Sequence, residues 1–270
     1  MERQKVVSRE YKIMLRAKLF TGAEASLLAH AHALWQDVSE KVRVVALDTA
    51  GDLSRIKTRR DVSFFDTRHH RLNGAGYIFR ERRETGGAER EVTLKCRHAD
   101  RFLSQARDMQ PATSSDAKTK FEEDIKIPFV SMHSFSTTVA IDDRARFATL
   151  RDVIRLFPDL PHRIDRADDD EPLLVVNDFT ARELVITGAT AQIGKTPKTD
   201  AEWALIVWYD ERDEREKPAV VELSYRYGDK NEEYGGGLTR RAFDVFNVLQ
   251  TELKKWVDPE PRTKTAFVFQ

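Results

Sequence analysis

The chain has 270 residues and one cysteine, Cys96, so an intrachain disulfide framework is excluded and the usage fits a reducing compartment. Long apolar runs are missing too: none reaches the roughly 18 residues of a membrane span. The opening MERQKVVSRE lacks the apolar segment of a signal peptide. A soluble cytoplasmic protein with no membrane partner is the expectation. Net charge is absent, because 45 basic residues cancel 45 acidic ones. No global field therefore recruits nucleic acid or an anionic membrane, and attraction must come from local segregation of sign. Neither a solenoid-period repeat nor a clear linker divides the chain, which reads as one domain over 1–270.

What is present is alternation. Charged residues recur at every second position in SREYKIML (Glu10, Lys12), YIFRERRE (Arg80, Arg82), EVTLKCRH (Lys95, Arg97) and KFEEDIKI (Glu122, Asp124). Similar patterning surrounds Arg182 in FTARELVIT and Glu222 in AVVELSYRY. Successive strand side chains point to opposite faces, so this period puts a charged row on one face of a sheet. A barrel lined in this way would hold a highly charged ligand.

Strands dominate along the chain. After the first, GAEASLLAHAHALWQDVSEK has the apolar spacing of an amphipathic helix through Leu27, Leu28, Ala31 and Leu34. VRVVALD, SRIKTRRDVSFFDT, GYIFRERRE and REVTLKCRH then read as strands joined by turns such as LNGAG and ETGGAE. A polar stretch near PATSSDAKTK precedes KFEEDIKIPF, and FATLRDVIRLFPDLP reads as a short helix closed by Pro158 and Pro161. LLVVND, ARELVITG, EWALIVWYDE and AVVELSYRYG read as further strands, and LTRRAFDVFNVLQTELKKWV as a second amphipathic helix. An enlarged insertion is expected around 132–170. The fold class is α+β, built on an antiparallel barrel.

The ordered motifs resemble the CYTH, or triphosphate tunnel metalloenzyme, superfamily. They are SREYK (8–12), FFDT (64–67), RER (80–82), TLK (93–95), EED (122–124), Arg182, VELS (221–224) and a closing RTKTAF that resembles the family's last strand and supplies Lys264. Each is weak alone, but their order covers nearly the whole chain. The resemblance implies an eight-stranded antiparallel β-barrel, a hydrophilic tunnel with flanking helices. It also implies hydrolysis of triphosphate compounds with Mg2+ or Mn2+, or, as an alternative, cyclisation of ATP in the manner of a class IV adenylate cyclase. The partner is then a triphosphate-containing small molecule, with no nucleic acid beyond a nucleotide.

The chemistry suits these residue types. A triphosphate carries about four negative charges, which lysine and arginine meet with charge-assisted hydrogen bonds. Lys12, Arg80, Arg82, Lys95, Arg97, Arg182 and Lys264 are the candidate substrate-binding residues. A hard cation bridging phosphate oxygens needs carboxylate ligands, and Glu10, Glu122, Asp124, Asp210 and Glu222 are the candidates. Glu10, Lys12 and Arg80 are assigned the catalytic role, the two cations by stabilising developing charge. Two departures from the family pattern weaken the acidic wall: Ser8 replaces the first glutamate of the opening motif, and one carboxylate beside Glu222 is missing, with Ser224 on one side. A binding protein without turnover is therefore a third reading.

Other residues take ordinary roles. GATAQIGKT has five residues between its glycines where a P-loop has four, and no helix follows to cap a phosphate. His69 and His70 read as a polar strand-end loop, and His30 and His32 cannot share a helix face at their spacing. Cys96, opposite Lys95 in parity, reads as a small buried apolar side chain, and Arg83 as an exposed strand end. The glycine run 235–237 reads as a connector.

Overall fold

The computed structural model describes residues 3–87, 90–112, 116–164, 169–213, 216–260 and 262–270. Parts of the expected turn at 84–89, the polar stretch at 111–120 and the 132–170 insertion lie outside them. Nine strands are found among the described residues: β1 (Ser8–Leu15), β2 (Asp48–Thr67), β3 (Tyr77–Glu84), β4 (Arg90–His98), β5 (Lys118–Lys126), β6 (Val130–Ala140), β7 (Leu173–Lys195), β8 (Lys198–Asp210) and β9 (Val220–Gly228). Six helices accompany them: α1 (Glu24–Val42), α2 (Arg71–Gly74), α3 (Arg101–Gln105), α4 (Leu150–Leu156), α5 (Gly236–Glu252) and α6 (Lys264–Val268).

The strands close in a ring in the order β1-β5-β6-β4-β3-β2-β7-β8-β9, with β9 returning to β1. Closure leaves no sheet edge open to pairing with another chain. The α+β class holds, with nine strands where eight were expected. One pair, β1 with β5, is parallel. More than a hundred residues separate these strands in sequence, so no hairpin forces them to run oppositely.

The apolar core lies outside the ring, which is why its inner face is free to be charged. Outward rows of β1 (Tyr11, Ile13, Leu15), β8 (Trp203, Leu205, Val207) and β9 (Leu223, Tyr225) pack against Leu27, Ala31, Leu34 and Val38 of α1 and Ala242, Val245, Phe246 and Leu249 of α5. Burying each large side chain contributes roughly 1.5–3 kcal/mol. On the other flank Tyr77, Phe79, Leu94, Cys96 and Phe135 pack with Leu150 and Val153 of α4. Cys96 is therefore a buried packing residue, as its parity suggested. At one end of the ring Met14, Val62, Phe64, Trp208 and Val220 pack with Val268 of α6, which docks the C-terminal segment there.

Several local expectations are corrected. VRVVALD is mostly the end of α1 and a turn, with Val44 80% exposed. LLVVND and ARELVITG are one strand, β7, whose bend carries positive φ at Asn177 and Asp178. GATAQIGKT lies within β7 before the turn into β8, so it has no phosphate-loop geometry. RTKTAF is not a strand: Thr263 accepts a hydrogen bond from the N–H of Ala266 and starts α6. The 132–170 stretch begins as ring strand β6 and only then leaves the ring for α4. Gly51 has φ +72°, and a Cβ there would lie 1.9 Å from the carbonyl oxygen of Gly188, so the register shift between β2 and β7 needs glycine at this crossing.

Candidate active site: a cation-rich bore

The inward rows meet in a cavity of about 660 Å3 that runs through the ring. Even-numbered positions supply it: Glu10 and Lys12 from β1, Arg80 and Arg82 from β3, Lys118, Lys120 and Glu122 from β5, and Glu222, Ser224 and Arg226 from β9. β4 contributes Thr93, Lys95 and Arg97, and β7 contributes Glu183. Among the described lining residues, eleven are lysine or arginine and six are glutamate. The surplus of positive charge is the chemical signature of an anion site.

One carboxylate organises the cations. Asp124 is 2% exposed, and its oxygens accept from Lys12 Nζ at 2.7 Å, Lys95 Nζ at 3.1 Å and Ser134 Oγ at 2.8 Å, with Arg97 Nη2 at 3.2 Å. Burial acts to raise its pKa, but Lys12, Lys95 and Arg97 together hold the carboxyl well below the usual range. A carboxylate so engaged is a structural counter-ion. Asp124 is absent from the cavity lining, so the structure sets it apart from the other expected metal ligands, Glu10, Glu122 and Glu222.

The same electrostatics divide the lysines. Burial opposes the charge of Lys12, but Asp124 and Glu10 outweigh it and the pKa rises. Lys12 Nζ also lies 3.0 Å from Glu10 Oε2. At Lys95 burial wins, Asp124 only partly compensates, and Arg97 adds repulsion, so its pKa falls to about 8. Lys126, at the end of β5, is lowered by burial and then by Arg97.

Across the bore Glu183 accepts from Arg60 Nε at 2.5 Å and from Trp208 Nε1 at 2.7 Å. Burial pushes its pKa up, but Arg60 and Lys264 pull it down to about 2. Arg82 donates to Glu91 at 3.3 Å. Arg80 differs from the arginines around it: no hydrogen bond or ion pair engages its guanidinium among the described residues, and its Nε is buried without a partner. Burial and then repulsion from Arg82 lower its pKa well below the ordinary arginine value, with Glu183 only partly opposing. An arginine kept this way inside a folded chain points to an anion that is yet to arrive.

Of the expected substrate-binding residues, Lys12, Arg80, Arg82, Lys95, Arg97 and Lys264 come together in the bore. Lys264 reaches it from α6, with Nζ 2.8 Å from Glu222 Oε1 and 5.6 Å from the Trp208 ring centre. Arg182 does not join them. It is exposed on the outer face, its guanidinium 5.0 Å from the ring centre of Tyr209. The adjacent Glu183 takes the inward position because β7 pairs Arg182 with Tyr209 and Glu183 with Trp208. Asp210 is corrected as well: it ends β8 outside the lining, and its carboxylate accepts from Arg212 Nε at 3.2 Å. Arg83 is exposed as expected. In FFDT, Asp66 is a buried scaffold residue whose carboxylate accepts from the N–H groups of Thr67, Leu72 and Asn73.

Sequence reasoning missed Lys57, Arg60, Lys118, Lys120, Glu91, Glu183, Glu202 and Arg226, all on the lining. Lys118 and Lys120 had a usable signal, since they extend the parity of Glu122 and Asp124 toward the start of β5.

A divalent cation has partial accommodation. Among the described residues no three His, Cys, Asp or Glu side chains converge as a ready-made cage. Glu10, Glu122 and Glu222 nevertheless face the same bore, and Glu222 Oε1 is buried with no hydrogen-bond donor aligned on it. Mg2+ commonly takes one or two protein carboxylates and completes its shell with phosphate oxygens and water. Glu10, Glu122 and Glu222 are the residues that would supply such ligands: Glu10 and Glu122 stand on neighbouring strands, and Glu222 lies further along the bore, opposite Met14 in the β1–β9 register.

No helix among the described residues is long and apolar enough to cross a membrane. No family model matches the chain, and no curated protein matches it. Among solved structures it is similar to HpAC1, a candidate adenylyl cyclase from Hippeastrum whose structure is described as revealing a dominant triphosphatase activity. That alignment covers 96% of this chain and 93% of the other, at 15% identity and a TM-score of 0.46. A candidate adenylate cyclase from Bacillus halodurans aligns over 97% of both chains, at 12% identity and a TM-score of 0.38. One from Vibrio parahaemolyticus aligns over 98% of both, at 8% identity and a TM-score of 0.37.

Proposed function

We propose that this chain is a CYTH-type tunnel phosphohydrolase that binds a triphosphate compound in the bore and hydrolyses it with the help of Mg2+ or Mn2+. The observation that carries the reading is Arg80, a cation without a counter-ion, next to Arg82 in a cavity with surplus positive charge. Arg80 and Arg82 grip phosphate oxygens, and Lys12, Lys95 and Arg97 turn from Asp124 toward the incoming anion. As the bond to the terminal phosphorus breaks, charge collects on the leaving phosphate, and these fixed cations stabilise it without reorganisation. Glu10, Glu122 and Glu222 would hold the metal, which would supply charge neutralisation and an acidified water. The reducing cytoplasm is the proposed location.

Phosphate release from inorganic triphosphate and ATP, with and without Mg2+ or Mn2+, tests this directly. Release is expected only with metal, and Glu10→Ala should reduce it by about 100-fold or more. Metal-dependent release from no member of a triphosphate panel would sink the enzyme reading. One feature favours binding without turnover: Glu10, Asp124, Glu183 and Glu222 are each engaged by a cation. Triphosphate binding with no phosphate and no cAMP formed would select it, and cAMP as the product would select the cyclase.

Lys95 gives a pH signature. Its pKa in the free protein is about 8 against an ordinary 10.5, so near pH 8 it is only partly charged. A polyanion beside it favours the ammonium form, so binding at pH 8 should take up protons, and uptake should vanish near pH 6 where Lys95 is already charged. Calorimetric titrations in buffers of different ionisation enthalpy read the proton number. Uptake at pH 8 no greater than in Lys95→Met, which carries the proton change of the ligand alone, would contradict the assignment.

A further inference from the structure

A second, smaller chamber of about 100 Å3 adjoins the bore at the end where β1 and β5 finish. It shares Lys12, Arg97, Glu222, Lys264 and Thr265 with the bore and adds Met14 from β1, Lys126 and Ile127 from the end of β5, and Thr263 from the C-terminal segment. Four of these side chains are cations and one is a carboxylate. Glu222 is matched by Lys264, and Lys12 and Arg97 by Asp124. Lys126 alone makes no hydrogen bond or ion pair among the described residues. It continues the inward parity of Asp124 and stands across from Lys12 in the β1–β5 register. Thr263 already accepts the Ala266 N–H at 3.2 Å, which leaves its hydroxyl proton to donate.

We propose that this chamber is an orthophosphate subsite, closed on one side by the C-terminal segment, that adjoins the triphosphate site through Lys12, Arg97 and Lys264 and is set apart from it by Lys126 and Thr263. Its volume suits one tetrahedral oxyanion and a few waters. The donors also suit it: ammonium groups and hydroxyls meet the oxygens of a compact anion from several directions without the planar fork that a carboxylate favours. Seated there, a released phosphate lies beyond Lys12, at the opposite end of β5 from Lys118 and Lys120. Besides the Lys264–Glu222 pair, the C-terminal segment is held by contacts outside the chamber: Asn177 Nδ2 donates to the carbonyls of Val268 at 2.8 Å and Gln270 at 2.7 Å, and Phe267 packs on Phe179. It is a fixed wall that contributes the two hydroxyls. The product role rests on the hydrolase reading; the anion site itself does not.

The test uses the full chain and calorimetry with inorganic phosphate and, separately, inorganic triphosphate. Lys126→Met keeps the aliphatic stem and should weaken phosphate by about tenfold or more while leaving triphosphate affinity within about twofold. Lys126→Gln, which keeps a polar end without the charge, should weaken phosphate by about threefold or more, and it decides the matter if Lys126→Met does not fold. Unchanged phosphate affinity in the folded variants, an adventitious ion only, would overturn the subsite, as would no saturable phosphate binding by the wild type. If phosphate responds to Lys126 but triphosphate does not bind at all, the subsite stands and the hydrolase reading falls.

Discussion

Arg80→Met is expected to make the protein more stable and less able to bind triphosphate. Removing an unpaired guanidinium relieves its desolvation and its repulsion from Arg82, a gain of about 1–3 kcal/mol. For a chain of this size that raises the midpoint of thermal unfolding by several degrees. The same substitution deletes charge-assisted hydrogen bonds to phosphate, each contributing about 1.5–3 kcal/mol, so affinity should fall by about 10- to 100-fold or more. Thermal unfolding and calorimetry on one pair of proteins read both effects. A scaffold residue would move the two in the same direction, and loss of stability together with intact binding would contradict the role assigned to Arg80.

Asp124→Asn is expected to show the opposite pattern. The carboxylate is the common counter-ion of Lys12, Lys95 and Arg97, and its loss leaves three cations facing each other with one amide between them. Breaking such a buried arrangement costs about 3–5 kcal/mol, read as a lower denaturant midpoint at pH 7. Inorganic triphosphate should restore much of that loss, because it binds the folded state and supplies the missing negative charge. A variant as stable as the wild type, or one whose stability ignores triphosphate, would show that the cations are not held by Asp124.

How far these residues were legible depends on what surrounds them. In β1, β3, β4 and β5 the charges alternate with large apolar residues, so parity fixes the inner face and the bore follows from period two alone. In ARELV two adjacent residues are charged, and nothing local says which points inward. The pairing of β7 with β8, beyond any sequence window, puts Glu183 inside and Arg182 outside. β8 lines the bore mostly with Ala204, Ile206 and Trp208, and the single charge in its row, Glu202, stands near its start, so its inner face carries no alternating charge to betray it. Lys264 was expected in the bore from a strand and arrives there from a helix, because the aromatic anchors Phe267 and Phe269, not a ladder of hydrogen bonds, dock the segment. Arg80 was visible as a tunnel residue, but its lack of a partner is a tertiary fact. Pairing across the ring decides it.

The central claim is that the bore is built for a triphosphate, and calorimetric titration of the wild-type chain with inorganic triphosphate tests it most directly. The expected result is saturable binding of one molecule per chain, weakened by added salt because the contacts are ionic, and lost in Arg80→Met. Absence of binding, or equal affinity in the wild type and Arg80→Met, would contradict it.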